Sequence, residues 1–366
     1  MPIRGDTAPA QPTYTNISPL GSQGGQSFVY LAHHEGFDKP CVQKVVRPAG
    51  LAGKLAFTEP RLLAQLQHPK IVPVLDCQYD PDLLGAVVFT MPYYRSGSVR
   101  FALEHGYRFS IIQAIAIACD QLAALGHVHT KGFIDRDVKA ANLLLSDDMR
   151  NGFLSDVGTV AQIESDGHVT GNVGTPIYMA PEGFGPTGRV GPTADIYGAG
   201  LTLLEMANGP LDYSAIVPND VVARLGRGLR GLKDEMLAYE PHVPRELRRV
   251  LNKATNPDPN RRFTDARSMA TALRHLSCID WKVIARSAGL EGEWEGTWPA
   301  TRPVAQRRSY RVVATPLKSG LVRVDAFQKV AASWRRFGVA RRDISARDSN
   351  ALAQVFSAVQ ARARQS

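Results

Sequence analysis

The chain has 366 residues, 44% hydrophobic and 21% charged, enough to bury one large core or two ordinary ones and too apolar for a disordered protein. Its net charge of +9 is confined to one region: residues 1–279 carry 27 basic and 27 acidic side chains, residues 280–366 carry 16 and 7, so electrostatic partners concern that last quarter alone. Four dispersed cysteines, Cys41, Cys77, Cys119 and Cys278, argue against a disulfide framework or a zinc site and make a reducing cytoplasm the expected location.

Residues 1–13, rich in Pro, Thr and Gln, read as a flexible arm without the apolar centre of a secretory signal. From about residue 14 to 91, the runs SFVYLAHH, CVQKVV, IVPVLDC and GAVVF have strand length and turn-forming boundaries. Between them FTEPRLLAQLQ has helical spacing, starting near Thr58 because Pro60 is tolerated only in a first turn. The expectation is a small β-rich lobe with one main helix. From about residue 95 to 278 the pattern lengthens to amphipathic segments such as SIIQAIAIACDQLAALGHVH and ADIYGAGLTLLEMANG, predicting a larger, mainly helical lobe. The most apolar stretch, Ile111 to Leu125, carries Gln113, Asp120 and Gln121, so it reads as core and not as a membrane span. Over residues 280–366, the runs SYRVVATPL and LVRVDAF flank Lys318-Ser319-Gly320, and SNALAQVFSAVQARA has helical period. This predicts a small basic α+β module, with Trp281, Trp294 and Trp298 as packing residues.

Chemistry concentrates in IDRDVKAANLLL, residues 134–145. An Asp, a Lys two residues on and an Asn five residues on suit phosphoryl transfer to a hydroxyl. Asp137 would accept or orient the hydroxyl proton, Lys139 would steady the γ-phosphate, and Asn142 would offer an amide oxygen to a metal. Nineteen residues after Asp137, Asp156 in FLSDVG supplies an isolated carboxylate of the kind Mg2+ bridges to phosphate oxygens. No spacing makes His33, His34, His127 or His129 a metal ligand.

These segments resemble the eukaryotic-like (Hanks-type) serine/threonine protein kinases, and the resemblance covers roughly residues 14 to 278. GTPIYMAPE, residues 174–182, looks like the end of that family's activation segment; Asp195 matches its loop-anchoring aspartate and Arg262 the partner of Glu182. The resemblance implies an α+β, bilobal protein-kinase-like fold and ATP-dependent transfer to protein Ser/Thr hydroxyls, with Mg2+, or alternatively Mn2+, held by Asn142 and Asp156. It assigns Lys44 to the α- and β-phosphates, with Glu59 on the helix as its ion-pair partner. The glycine-rich loop falls on Ser22, Gly24, Gly25 and Val29, only partly glycine. Met91 takes the gatekeeper position, and the Pro92 carbonyl and Tyr94 amide would hold adenine. Thr175 would bond near Asp137 and Lys139, a serine/threonine-class feature.

Asp135 departs from the family, which has histidine there; it brings a carboxylate toward an apolar spine, where desolvation opposes ionisation. Arg136 before Asp137 implies activation-segment autophosphorylation, with Thr159, Ser165 and above all Thr170 as candidates. The absence of a spanning segment resembles bacterial cytosolic kinases more than receptors. For residues 280–366, docking of an acidic partner or nucleic acid on Arg307, Arg308, Arg311, Arg335, Arg336, Arg341 and Arg342 stands beside a merely solvated surface. The competing function is a pseudokinase scaffold that binds nucleotide and holds a partner through this module.

Overall fold

Alternating apolar residues build five antiparallel strands before residue 95: β1 (Tyr14–Gln23), β2 (Ser27–His34), β3 (Lys39–Val46), β4 (Asp76–Asp80) and β5 (Ala86–Pro92), with α1 (Thr58–Gln65) between β3 and β4. The computed structural model describes residues 14–23, 27–46, 58–80, 86–156, 158–171, 173–185, 187–287, 289–299, 307–339 and 341–365. Gly24 and Gly25, and the 1–13 arm, lie outside the described residues. The chain divides into two compact units, Met1–Arg95 and Ser96–Ser366.

In the first unit the strand order is β1-β2-β3-β5-β4. Lys44 stands at the middle of β3, opposite Val29 on one side and Phe89 on the other. Pro60 is the third residue of α1, where its missing N–H breaks no helical bond. The IVPVLDC run differs from its expected form. Ile71 and Val72 are buried, but the strand begins only at Asp76, because Pro73 has no amide to give a ladder.

In the second unit α2 (Val99–Glu104) precedes α3 (Ile111–Thr130). Ser110 and Gln113 form a capping box at the start of α3, satisfying two amides that the first turn leaves open. The Ile112 amide is taken by the Asp280 carboxylate at 2.7 Å. By length and composition α3 could cross a membrane, but 61% of its apolar window is buried within the unit. Three short hairpin partners follow: β6 (Phe133–Ile134), β7 (Leu143–Leu145) and β8 (Gly152–Leu154). β7 pairs with β8, and β6 pairs with β9 (Ala161–Gln162). β10 (Val169–Thr170) pairs with β11 (Arg189–Val190). Then come α4 (Thr193–Asn208), α5 (Pro218–Leu225), α6 (Arg245–Ala254) and α7 (Ala266–Arg274). α3 packs against α4, α7 and β8 to form the centre of the unit.

Six further strands share one antiparallel sheet: β12 (Asp280–Arg286), β13 (Gly292–Trp298), β14 (Arg308–Pro316), β15 (Leu321–Val330), β16 (Ser333–Arg336) and β17 (Arg342–Ser345). β16 and β17 pair with opposite ends of β15. One face buries Trp281, Trp294, Tyr310, Val312 and Val324, while α8 (Ser349–Gln365) buries Leu352, Val355, Phe356 and Val359. Phe356 meets Trp281 and Trp294 edge-on at 5.0 and 5.3 Å. Two of the three tryptophans are therefore core residues of this sheet.

Candidate functional site

The loop after β6 is fixed from beneath by α4. Asp195, 1% exposed, accepts the Asp135 amide on Oδ2 and the Arg136 amide on Oδ1, both at 2.9 Å. His129 Nε2 lies 2.7 Å from the same Oδ2, a partner that sequence reasoning missed. Its only signal was its place at the end of α3, just before the loop. Gly198 lets α4 approach, since a Cβ there would stand 2.5 Å from the Val138 carbonyl.

So held, the loop gathers the expected acid, base and amide. Asp137 Oδ1 accepts the Thr175 amide and the Thr175 hydroxyl, each at 2.8 Å, while Oδ2 accepts Lys139 Nζ at 2.5 Å. Lys139 Nζ also donates to Thr175 Oγ1 at 2.8 Å. Thr175 thus closes a three-membered polar ring with Asp137 and Lys139. The turn delivering it needs glycine: Gly174 has φ +114°, and a Cβ would lie 2.4 Å from the Arg136 carbonyl. Asp137 is 7% exposed, so these charge-assisted bonds act with little solvent competition.

Asn142 donates Nδ2 to the Asp137 carbonyl at 3.1 Å, which turns its Oδ1 the other way. Ser155 returns its amide and hydroxyl to the Asn142 carbonyl at 2.9 and 3.0 Å, so the β7–β8 register carries on to set Ser155 opposite Asn142, with Asp156 the next residue along. Asp156 has φ +57°, a left-handed conformation that Asp tolerates. One amide oxygen and one carboxylate are hard donors that fit a divalent cation whose remaining ligands are waters and phosphate oxygens.

Lys44 is 5% exposed, with Nζ 5.9 Å from the centre of the Phe89 ring. Glu59 is the second residue of α1, and its side chain lies outside the described residues. Met91 and Pro92 end β5, with Tyr94 just beyond. Val29 and the backbone of Ser22 lie on the strands flanking the phosphate-loop segment.

Asp135 is fully buried, its Oδ1 accepting the Asp137 amide at 3.0 Å and its Oδ2 left without a partner. Burial first, and then the neighbouring Asp195 carboxylate, hold it well above the usual carboxylate range. Arg136 donates to the Thr159 carbonyl at 2.7 Å and the Thr170 carbonyl at 3.0 Å. Thr170 is exposed, whereas the Thr159 hydroxyl is buried.

Beyond the loop, Arg262 grips Glu182 through two bonds of 2.7 Å. A second buried cluster had no sequence signal. Tyr178 donates to Glu205 on α4, Tyr213 donates to the same carboxylate at 2.8 Å, and Arg100 stacks 3.9 Å above the Tyr213 ring. Burial pushes Glu205 up to about 7 despite the two tyrosine donors.

Residues 14–276 match the protein kinase domain family. Similar proteins include the serine/threonine-protein kinase PknG of Mycobacterium leprae, 32% identical over 74% of this chain and 33% of the relative. PknG of Mycolicibacterium smegmatis is 32% identical over 69% and 31%. The DNA damage-responsive serine/threonine-protein kinase RqkA of Deinococcus radiodurans is 34% identical over 54% and 30%. The chain spans about a third of the length of these relatives.

Proposed function

Because this chain belongs to the protein kinase family, we propose that it transfers the γ-phosphoryl group of ATP to serine or threonine hydroxyls of protein substrates. The observation that carries this reading is the Asp137–Lys139–Thr175 ring, set next to the Asn142 amide on one rigid loop. Asp137 orients the acceptor hydroxyl and takes its proton, with Lys139 compensating charge at the transferring group. Thr175 holds the Asp137 carboxylate in a single orientation. Lys44 supplies the buried cation for the α- and β-phosphates. Asn142 and Asp156 would hold Mg2+, which when bound neutralises phosphate charge.

With Lys44, Asp137, Asn142 and Asp156 all retained, no observation favours the scaffold alternative. The four cysteines are free thiols, which fits the proposed reducing, cytoplasmic location; a signalling role is proposed with the kinase activity. Thr170 is the proposed autophosphorylation site: it is exposed, and Arg136 already reaches its backbone. The kinase domain is proposed to end near Cys278 and a basic module to occupy residues 280–366.

The test is transfer of labelled γ-phosphate from MgATP to a generic basic protein. Wild type is expected to label Ser/Thr, with label lost in Asp137→Asn and Lys44→Met. Undiminished transfer in either variant would sink the assignment. Phosphate mapping of the active protein is expected to find Thr170; unmodified residues 158–175 would remove the autophosphorylation reading.

A further inference from the structure

The β10–β11 ladder has one dry face and one wet face. In its register Val169 stands opposite Val190, and Thr170 stands opposite Arg189. Val169 and Val190 are buried against Ile134. Because successive side chains of a strand alternate, Thr170 and Arg189 share the other face, where Thr170 is exposed and Arg189 half-buried. Directly opposed residues of an antiparallel pair hold their Cβ atoms about 5 Å apart, so the Arg189 guanidinium is within reach of whatever Thr170 carries.

Arg189 already grips anions. Its Nη1 donates to both oxygens of Glu164, at 3.1 and 3.0 Å, and its Nη2 to both oxygens of Asp166, at 2.7 and 2.8 Å. The His168 carbonyl also accepts from Nη2, at 3.4 Å. These bonds fasten the 164–168 turn to β11, and both carboxylates are more than half exposed, so water competes for each of them. Arg136 is disposed differently: it donates to the backbone carbonyls of Thr159 and Thr170. The carbonyls of a strand lie in the plane of its ladder, whereas its side chains stand out of that plane. Arg136 therefore meets Thr170 at the edge of the ladder, and Arg189 meets it on the face that its side chain takes.

We propose that Arg189 is the receptor for a phosphate on Thr170 and exchanges Glu164 and Asp166 for that phosphate, an inference that rests on the reading of Thr170 as the modified residue. Transfer joins Thr170 Oγ1 to the γ-phosphorus of ATP as the bond to the β-phosphate oxygen breaks. ADP leaves, and the hydroxyl proton passes to Asp137 of the copy that performs the transfer. The product carries about 1.5 to 2 negative charges and three acceptor oxygens, which a guanidinium pairs with through two parallel bonds. Any two-bond approach to a guanidinium takes at least one terminal nitrogen, and both terminal nitrogens of Arg189 are held by the carboxylates. The new charge also repels Glu164 and Asp166. Phosphorylation thus reties the segment: it joins β10 to β11 through their outer side chains and lets go of the 164–168 turn. Within that turn the Glu164 amide bonds the His168 carbonyl at 3.0 Å and the Gly167 amide bonds the Glu164 carbonyl at 2.9 Å.

The test uses the full chain carrying Asp137→Asn, with phosphothreonine placed at position 170 during translation, so it needs no transfer by the protein itself. Phosphorus NMR is expected to place the second ionisation of the phosphate about one unit below its ordinary value near 6, because a guanidinium favours the dianion. Arg189→Gln should restore the ordinary value, and Arg136→Gln should leave the lowered one in place. Hydrogen exchange on the same chain with and without the phosphate needs no variant of either arginine. The Glu164 and Gly167 amides are expected to exchange about fivefold faster once the phosphate is present. An ionisation that is not lowered, a lowering that survives Arg189→Gln or vanishes in Arg136→Gln, or unchanged exchange at the two amides would overturn the proposal. Phosphate mapping of the wild-type protein decides separately whether Thr170 is modified, so the two readings fail independently.

Discussion

Thr175 Oγ1 gives its proton to Asp137 and receives one from Lys139, so a single hydroxyl sets the angle of both groups. Thr175→Ala should therefore lower kcat by about 10- to 100-fold with little change in the KM for ATP, and Thr175→Ser should restore most of it. Steady-state kinetics on the three proteins checks this; an equal loss in the Ser variant would mean that the methyl group matters more than the hydroxyl. At this scale the sequence was informative, because Asp137, Lys139 and Asn142 sit within one short loop whose spacing is fixed by covalent geometry. The desolvation of Asp135 was expected and is observed. His129 was not legible in the same way: its role depends on Asp195 arriving from α4, 66 residues on, and no local spacing encodes that meeting.

Two of the buried ionisable groups, Arg262 and Glu205, each make a measurable demand. Arg262 has no exposed side chain and is held by Glu182, so Glu182→Gln leaves a buried guanidinium without its counter-charge. The expected cost is about 3–5 kcal/mol, read from denaturant unfolding. Glu205 behaves in the opposite sense. Its folded value near 7 lies above an ordinary carboxyl, so the folded state holds its proton more tightly than the unfolded chain does. The resulting stability is fully present below about pH 4.5 and is lost as pH rises through 7. Glu205→Gln should flatten the pH dependence of the melting temperature across that window, and an unchanged slope would show that Glu205 does not titrate there. Helix α3 and strands β14 and β15 could be read from periodicity. β12, β13, β16 and β17 could not, because Gly292, Gly296 and alternating charges break the apolar pattern that marks a strand.

Across the whole molecule, acidic residues of the last quarter are spent on particular arginines of its own sheet. Arg311 bridges Glu293 and Glu295, Arg323 bridges Asp343, and Asp325 takes both Arg341 at 2.9 Å and Arg336 at 3.5 Å. Three of the seven arginines proposed as a polyanion footprint are thus already paired, which supports a structural role for them over nucleic-acid docking. Asp325→Asn should release two of these cations and raise the salt concentration at which the full chain leaves heparin; unchanged elution would mean that they were never held.

The Asp280 carboxylate has a consequence for where this kinase domain ends as a folded object. The family match stops at residue 276, yet an amide in the first turn of α3, the central helix of the second unit, is bonded by a side chain four residues beyond it. Asp280 is in effect the last stitch of a seam that closes in the middle of the lobe, 168 residues back along the chain. A chain cut at Cys278 keeps every residue assigned to phosphoryl transfer and loses that stitch, so it should melt lower than the full chain. Asp280→Ala in the full chain should reproduce part of the loss, about 0.5–2 kcal/mol. The last residue of the family match and the boundary of mechanical integrity are different positions in this protein, and the second lies inside the sheet that follows.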